Sequence, residues 1–360
     1  MSKLLVVESN HTEWLFGPTN KHLTDHHKHY AVHLAEQCTG KTYSDVQLVN
    51  DVPNDGIFAD DIIFLTETQL EHHLHQVQYM SKTTGNVMVC QFFEPHCDQY
   101  NIEIINKHLS DHKVWYISCN ADVFSNTGKN ITPVYFDFFS GFIWFGTAEL
   151  LTARDYGIDE VRDFLSLNAK NRPSRMEMFR LLEQQDLLDK GYISKGPQFL
   201  EKTNTIDPVE FGNANVLIPC FEDISSWTSN VYYEIINDHV LTPGPGPDFK
   251  FIFISEKFYR CVYNKNPFLL HAKPGALSYI RALGYKTFDT LFDESYDTIT
   301  NWRLRTRAIV QQVSWFSKLS EQQKQEWYDQ ARPIIEHNYN HMQTSLSKLY
   351  FEPLNNTRTP

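Results

Sequence analysis

Residues 249–297 constrain the fold most, because strand-like apolar runs and helical patterns alternate along them. Residues 251–254 have the length and composition of a buried β-strand, and apolar residues at helical spacing follow. Residues 267–270 form a second strand-like run, and residues 276–283 then read as a helix that Gly284 ends. This strand–helix–strand–helix order is typical of a parallel α/β sheet.

Polar residues follow both predicted strands at their carboxyl ends, the edge where parallel α/β sheets bind their ligands. Ser255, Glu256 and Lys257 come directly after the first strand, and residues 271–275 come after the second. Two neighbouring strand ends are therefore expected to face one ligand.

A chain of 360 residues is too long for one typical hydrophobic core, so two domains are expected. Alternating strand and helix patterns before residue 150 predict a first mostly parallel sheet in residues 1–158. A polar stretch near residue 158 marks the boundary of a second α/β domain, residues 159–318. Residues 319–360 begin with a capping-box pattern and predict a long helix, kinked at Pro333, that crosses back onto the first domain.

Composition narrows the class of protein. A net charge of −12 argues against a broad nucleic-acid-binding surface. No apolar run approaches the roughly 20 residues that cross a bilayer, and the N-terminus reads as a first strand, not as a signal peptide. Six scattered cysteines without a CxxC pair fit a reducing compartment. We therefore expect a cytoplasmic protein.

A basic loop follows another predicted strand, residues 164–168. It carries Lys170, Arg172 and Arg175 and leads into a predicted helix over residues 176–184, for which Ser174 is a candidate N-cap. Cations at a strand-to-helix turn favour an anion site, because the helix N-terminus adds partial positive charge. The alternative is a loop whose cations are simply solvated.

Two carboxylates follow predicted strands of the first domain. Glu94 ends residues 87–93 just before Pro95, and Asp122 follows residues 114–118. Either residue is a candidate for chemistry at a sheet edge or, alternatively, a solvated loop carboxylate. Residues 227–240 read as a helix that carries Glu234.

Histidines are frequent in the N-terminal half, and His29 and His33 stand one helical turn apart. No carboxylate or cysteine stands at a convincing ligand spacing to them, so no metal site is expected.

Several segments resemble the fucosyltransferase-like families of GT-B glycosyltransferases. The Ser255-Glu256-Lys257 segment is similar to their Thr/Ser-Glu-Lys segment, and Tyr233-Glu234 is similar to their Phe-Glu-Asn block. Residues 164–175 resemble their strand followed by an arginine. The chain departs from these families in a Pro-Gly-Pro-Gly-Pro insertion between Glu234 and Glu256.

A closer resemblance, over about residues 160–310, is to a family of tailed-phage proteins identified as glycosyltransferases. The similar positions are Leu167-Asn168, Arg172, Arg175, Glu256-Lys257, Pro267-Phe268, Pro274-Gly275, Gly284, Lys286-Thr287-Phe288-Asp289 and residues 293–297.

The resemblance implies a two-domain GT-B-like architecture and transfer of a sugar, with inversion, from a nucleotide-diphosphate donor. The donor is a co-substrate, and no cofactor or metal is implied. Lys257, Arg175 and Arg172 would neutralise the diphosphate, and Glu256 would hold the ribose. The implied donor-binding set also contains Lys170, Glu234 and Ser255.

Inversion requires one general base on the acceptor hydroxyl, which is expected from the first domain. Glu94 is the first candidate for this base and Asp122 the second. The acceptor is a glycan or, given the phage resemblance, a hydroxymethylated base in phage DNA, in the host cytoplasm. The alternative is a non-catalytic phage binding or structural protein with the same fold. The oligomeric state stays open.

Overall fold

The computed structural model describes residues 3–7, 32, 34–43, 45–49, 61–66, 70, 74, 86–90, 98–118, 128–135, 161–168, 172–194, 205–206, 230–238, 252 and 254–351. The chain separates into two compact units. The first comprises residues 1–141 and 347–360, and the second comprises residues 142–346. The predicted boundary at residue 158 lies 17 residues after this division, among residues that the structure does not describe.

The first unit contains a six-stranded sheet in the order β2-β1-β3-β4-β5-β6, and every strand pair is parallel. The strands are β1 (Lys3–Val7), β2 (Asp45–Val49), β3 (Ile62–Thr66), β4 (Asn86–Cys90), β5 (Lys113–Ser118) and β6 (Ile131–Tyr135). Helix α1 (Asp98–His108) connects β4 to β5 and buries Ile102 and Ile105 against the sheet core. The predicted first parallel sheet is confirmed, with one additional strand, β2, at its edge.

The second unit contains a five-stranded sheet in the order β11-β10-β7-β8-β9, again with parallel pairs throughout. Its strands are β7 (Arg162–Ser166), β8 (Gly191–Ser194), β9 (Thr205–Ile206), β10 (Val231–Asn237) and β11 (Phe268–His271). The described part of the chain is therefore an α/β protein with two parallel sheets, as the sequence predicts.

The described residues after β7 contain five α-helices: α2 (Pro173–Gln184), α3 (Glu256–Tyr263), α4 (Ala276–Ala282), α5 (Trp302–Phe316) and α6 (Glu321–Phe351). The first four belong to the second unit, and the last residues of α6, from residue 347, are grouped with the first. Local chemistry sets several of their ends. Ser255 Oγ accepts from the Lys257 amide at the start of α3, and Asn301 Oδ1 accepts from two amides at the start of α5. Gly284, at a φ of +94°, follows the end of α4 in the left-handed conformation that glycine adopts without strain.

The predicted capping box at the start of α6 is confirmed. The Ser320 amide donates to Gln323 Oε1, and the Gln323 amide donates to Ser320 Oγ. Within the second unit this helix packs through Trp327, whose ring lies 5.0 Å from those of Phe292 and Phe316. The predicted packing of its end on the first domain stays a prediction.

The helix predicted for residues 227–240 is wrong, because this segment forms strand β10. Its seven side chains are all buried, and only Glu234 and the terminal Asn237 carry amide or charged groups, so the strand shows no alternation of buried and exposed residues. Glu234, which the predicted helix would have carried, has its charge paired inside the protein.

The strand predicted for residues 251–254 is also not observed, since Ile252 and Ile254 lie outside any strand and β10 occupies the place beside β11. The candidate cap Ser174 is buried inside the first turn of α2, and Arg172 occupies the N-cap position.

Among the described residues, no helix has both the length and the apolar character that a membrane crossing demands.

Candidate functional site

The order of strands in the second unit reverses between β7 and β10. From β7 the chain passes through α2 to β8 on one side, and from β10 it passes through α3 to β11 on the other side. In open α/β sheets, ligands bind beyond the carboxyl ends of the strands at such a reversal, where the two departing connections leave a crevice. A ligand-binding site of the second unit is therefore expected at the carboxyl ends of β7 and β10.

Two helices begin at these strand ends and carry the predicted cations. Arg172 is the N-cap residue of α2, and Lys257 lies in the first turn of α3. Arg175, in the first turn of α2, is 5% exposed, and its Nη2 donates to the carbonyl oxygen of Asn237 over 3.3 Å. That bond ties the start of α2 to the end of β10.

The start of α3 is fixed to the same strand end. The main-chain amide of Ser255 donates to Oδ2 of buried Asp238, the residue directly after β10, over 3.2 Å. Lys257 Nζ lies 3.5 Å from Ser255 Oγ. The structure thus brings together four of the predicted site residues: Arg172, Arg175, Ser255 and Lys257.

A chain of buried polar side chains lies beneath these residues, across the carboxyl ends of β7, β10 and β11. Asn237 Nδ2 donates to Ser166 Oγ over 3.1 Å, and Asn237 Oδ1 lies 2.8 Å from His271 Nδ1. His271 Nε2 lies 2.9 Å from Thr306 Oγ1 of α5. On the β7 side, Asn168 Nδ2 lies 3.2 Å from Ser166 Oγ. Hydrogen bonds of this kind compensate the cost of burying polar atoms.

His271 is neutral in this setting. Burial, then the charges of Arg305 and Arg175, lower its pKa to about 3. Asn237 offers a carbonyl oxygen to Nδ1, so the neutral ring carries its proton on Nδ1. Thr306 Oγ1, which lies 2.9 Å from Nε2, also donates to the carbonyl oxygen of Trp302 over 2.7 Å.

Arg305, in the first turns of α5, is a second buried cation at this edge. It is 1% exposed and donates to the carbonyl oxygen of Ile299. Burial lowers its pKa to about 10, and the carboxylate of Asp297 acts in the opposite direction. Together with Arg175 it concentrates positive charge around the end of β11.

Glu234 occupies a different place from the other predicted donor-binding residues. It lies in the middle of β10, is 1% exposed and accepts from Arg260 Nη2 of α3 over 2.6 Å. Asn266 Nδ2 donates to its other oxygen over 2.9 Å. Both carboxylate oxygens are thus bound within the protein, in an ion pair that fastens α3 to the sheet.

The remaining predicted residues are less fully described. Glu256 is the first residue of α3, and its side chain lies outside the described part of the structure. Lys170, both candidate bases Glu94 and Asp122, and the histidine pair at residues 29 and 33 also lie outside the described residues. Within the described ranges, no group of three or more His, Cys, Asp and Glu side chains could hold a metal ion.

The described carboxyl end of β5 in the first unit is polar as well. Asp98, the first residue of α1, is buried and accepts from the hydroxyl groups of Tyr116 over 2.7 Å and Ser118 over 3.0 Å. Asn101 Nδ2 in turn lies 3.2 Å from the Tyr116 hydroxyl. The carboxyl end of β5, which precedes candidate base Asp122 in sequence, is therefore lined by hydrogen-bonded polar side chains.

The sequence pointed to the cations but missed the polar chain of Ser166, Asn237, His271 and Thr306. One signal for it is readable in the sequence: a polar residue ends each of three buried strands, at Ser166, Asn237 and His271.

Comparison of the chain with protein-family models gives no match, and comparison with curated proteins gives none either. Function is therefore inferred from the geometry of the site.

Proposed function

We propose that the chain is an inverting glycosyltransferase whose second unit binds the diphosphate of a nucleotide-sugar donor at the carboxyl ends of β7 and β10. One observation carries this proposal. The strand order reverses where α2 and α3 begin, and Arg172, Arg175 and Lys257 lie at those two helix starts.

A diphosphate matches the chemistry of this edge. Helix N-termini offer unpaired main-chain N–H groups and partial positive charge, which favour phosphate oxygens. When a sugar leaves its nucleotide, negative charge grows on the diphosphate, and positioned cations stabilise that charge in the transition state. Arg172 and Lys257 are partly exposed and can contact a ligand, while Arg175 is held from below by the Asn237 carbonyl. Three cations can then carry out this role without a metal.

The substitution Lys257→Gln tests the donor site. Inorganic pyrophosphate and a panel of nucleoside diphosphates are titrated calorimetrically into the parent and the variant. Losing a charge-assisted bond to phosphate should weaken binding about 10- to 100-fold, equivalent to roughly 1.5–3 kcal/mol. The matched control is Lys190→Gln, which removes an exposed lysine just before β8, at the amino edge of the same sheet. No binding by the parent, or equal binding by parent and Lys257→Gln, would refute the donor site.

The general base is proposed to come from the first unit, with Glu94 as the first choice and Asp122 as the second. A base that removes the proton from the acceptor hydroxyl contributes about 10²- to 10⁴-fold to the rate. Glu94→Gln should therefore lose turnover by that factor while pyrophosphate affinity stays at the parent value. Turnover within a few-fold of the parent transfers the role to Asp122, for which Asp122→Asn is the corresponding test.

The acceptor is proposed to be either a glycan or a hydroxymethylated base in DNA, and one assay separates the two. Turnover is measured with labelled donors on DNA that carries 5-hydroxymethyl pyrimidines, on the same DNA without them, and on oligosaccharides. Label on the modified DNA alone supports the DNA acceptor, and label on oligosaccharides alone contradicts it.

A further inference from the structure

The hydrogen-bonded polar side chains of Ser166, Asn237, His271 and Thr306 are buried at the carboxyl edge of the second sheet, where apolar side chains would pack at a lower cost. Asn237 and His271 are both 0% exposed, and each side chain bonds a partner on either side. Apolar side chains of similar size would fill the same volume without the cost of burying amide and imidazole groups. The burial of these groups therefore indicates a role beyond packing.

His271 is placed to act on other residues and not on a ligand. Its ring is fully buried, Nδ1 faces Asn237, and Nε2 faces Thr306. Burial, and then the charges of the Arg305 and Arg175 guanidiniums, keep the ring neutral by lowering its pKa. A buried imidazole with both nitrogens engaged can neither bind a phosphate nor exchange a proton with one.

One residue links this ring to the predicted anion site. Asn237 bonds His271 and Ser166 through its side chain and accepts from Arg175 through its main-chain carbonyl. The peptide that carries this carbonyl is held by the main-chain bond from the Asp238 amide to the His271 carbonyl oxygen over 3.0 Å. The side-chain amide, held at both ends, adds a second restraint on the last residue of β10 and thus on the direction of its carbonyl oxygen.

We propose that His271 is a positioning residue: by holding the Asn237 side chain, it fixes the carbonyl that orients Arg175 toward the donor diphosphate. This inference rests on the proposed function, since it assigns Arg175 to the diphosphate. A neutral imidazole suits the role because it bonds Asn237 without adding a third positive charge beside Arg175 and Arg305.

Two substitutions of His271 separate positioning from packing. His271→Asn places an amide nitrogen near the position of Nδ1, so it keeps a donor to Asn237 and loses the bond to Thr306. His271→Gln reaches toward Thr306 and loses the bond to Asn237. Each variant removes the ring, so both are expected to lower the melting temperature by similar amounts.

Inorganic pyrophosphate serves as the probe, measured by calorimetry below the melting temperature of each variant. His271→Asn is expected to bind within about threefold of the parent, and His271→Gln about tenfold more weakly, as for the loss of one charge-assisted bond. Equal affinities in the two variants, or affinities that follow the loss of stability, would overturn the positioning role. If the parent does not bind pyrophosphate, the proposed donor site is refuted, and the positioning role of His271 is refuted together with it.

A second pair of variants decides the matter if the His271 variants do not fold. Ser166→Ala removes the other partner of the Asn237 amide, and Thr306→Val removes the partner of His271 on the far side of the ring. The positioning role predicts weaker pyrophosphate binding in Ser166→Ala and parent-like binding in Thr306→Val. The reverse order, or no difference, contradicts it.

Discussion

Arg175 and Arg305 donate to main-chain carbonyl oxygens, those of Asn237 and Ile299. A carbonyl has no net charge, so such a bond orients a guanidinium without cancelling its charge. The carboxyl edge of the second sheet thus holds two buried guanidiniums by main-chain oxygens, with the neutral ring of His271 near both cations and the Asp297 carboxylate acting on Arg305.

The neutral state of His271 predicts a loss of stability in acid. Its pKa is about 3 in the fold and 6.5 in the unfolded chain, because burial and the neighbouring Arg305 and Arg175 oppose its protonation. Above pH 6.5 both states are neutral and the stability is complete. As the pH falls from 6.5 to 3, only the unfolded chain gains the proton, so stability is lost. From pH 7 to pH 4.5 this group should remove about 2–3 kcal/mol.

Urea unfolding of the parent and of His271→Asn at pH 7 and pH 4.5 measures this loss. The parent should lose more stability than the variant by about the stated amount, since the variant has no titrating group at this position. An equal loss in the two proteins would show that His271 is not held neutral. His112 of the first unit also loses stability in acid, because burial lowers its pKa, but it does so equally in the parent and in the variant.

At the scale of elements, helix α3 is fastened to the sheet by a buried ion pair. Glu234 of β10 pairs with Arg260 of α3, and Asn266 satisfies the second carboxylate oxygen. Breaking such a pair leaves an uncompensated buried charge, which costs about 3–5 kcal/mol, whereas removing both charges costs much less.

Arg260→Met should therefore destabilise the protein strongly, and the double variant Glu234→Gln with Arg260→Met should recover most of that loss. Chemical denaturation of the two single variants and the double variant forms the cycle that measures the coupling. Pyrophosphate binding by the double variant separates the two roles of Glu234. Parent-like affinity supports a structural role, and a loss of tenfold or more would return Glu234 to the donor site.

Several elements of the second unit could be predicted because their signals are local. The helix start at Ser320 and the glycine after α4 follow from capping and turn chemistry, and the structure confirms them. Strand β10 could not be recognised in this way, because a strand buried on both faces has no alternation and Glu234 imitates a polar helix face. Edge strand β2 was missed because Gln47 interrupts a short apolar run.

The candidate site likewise contains residues with local sequence signals and residues that depend on contacts distant in sequence. Arg172, Arg175 and Lys257 were predictable, since cations at the starts of helices are visible within a few residues of sequence. The bond between Asn237 and Ser166 joins residues 71 positions apart, and the contact between His271 and Thr306 spans 35 positions. Such pairs depend on the order and register of the strands, which the local pattern does not contain.

At the scale of the whole molecule, the described chain contains two parallel sheets, each in its own compact unit. In both units the described polar clusters gather at carboxyl ends of strands, around Asp98 in the first and around Asn237 in the second. The proposed division of labour, with a donor diphosphate in the second unit and a general base in the first, assigns one step of the chemistry to each of these edges.

Hydrogen–deuterium exchange with and without a nucleoside diphosphate tests the central claim most directly, because it locates the bound diphosphate on the sheet. A diphosphate bound at the carboxyl edge should slow exchange at the starts of α2 and α3, residues 172–178 and 255–260, because their amides would face the phosphates. Residues 186–191, at the amino edge of the same sheet, should exchange at the same rate with and without ligand. Slower exchange at that amino edge, with no change at the starts of α2 and α3, would contradict the proposed donor site.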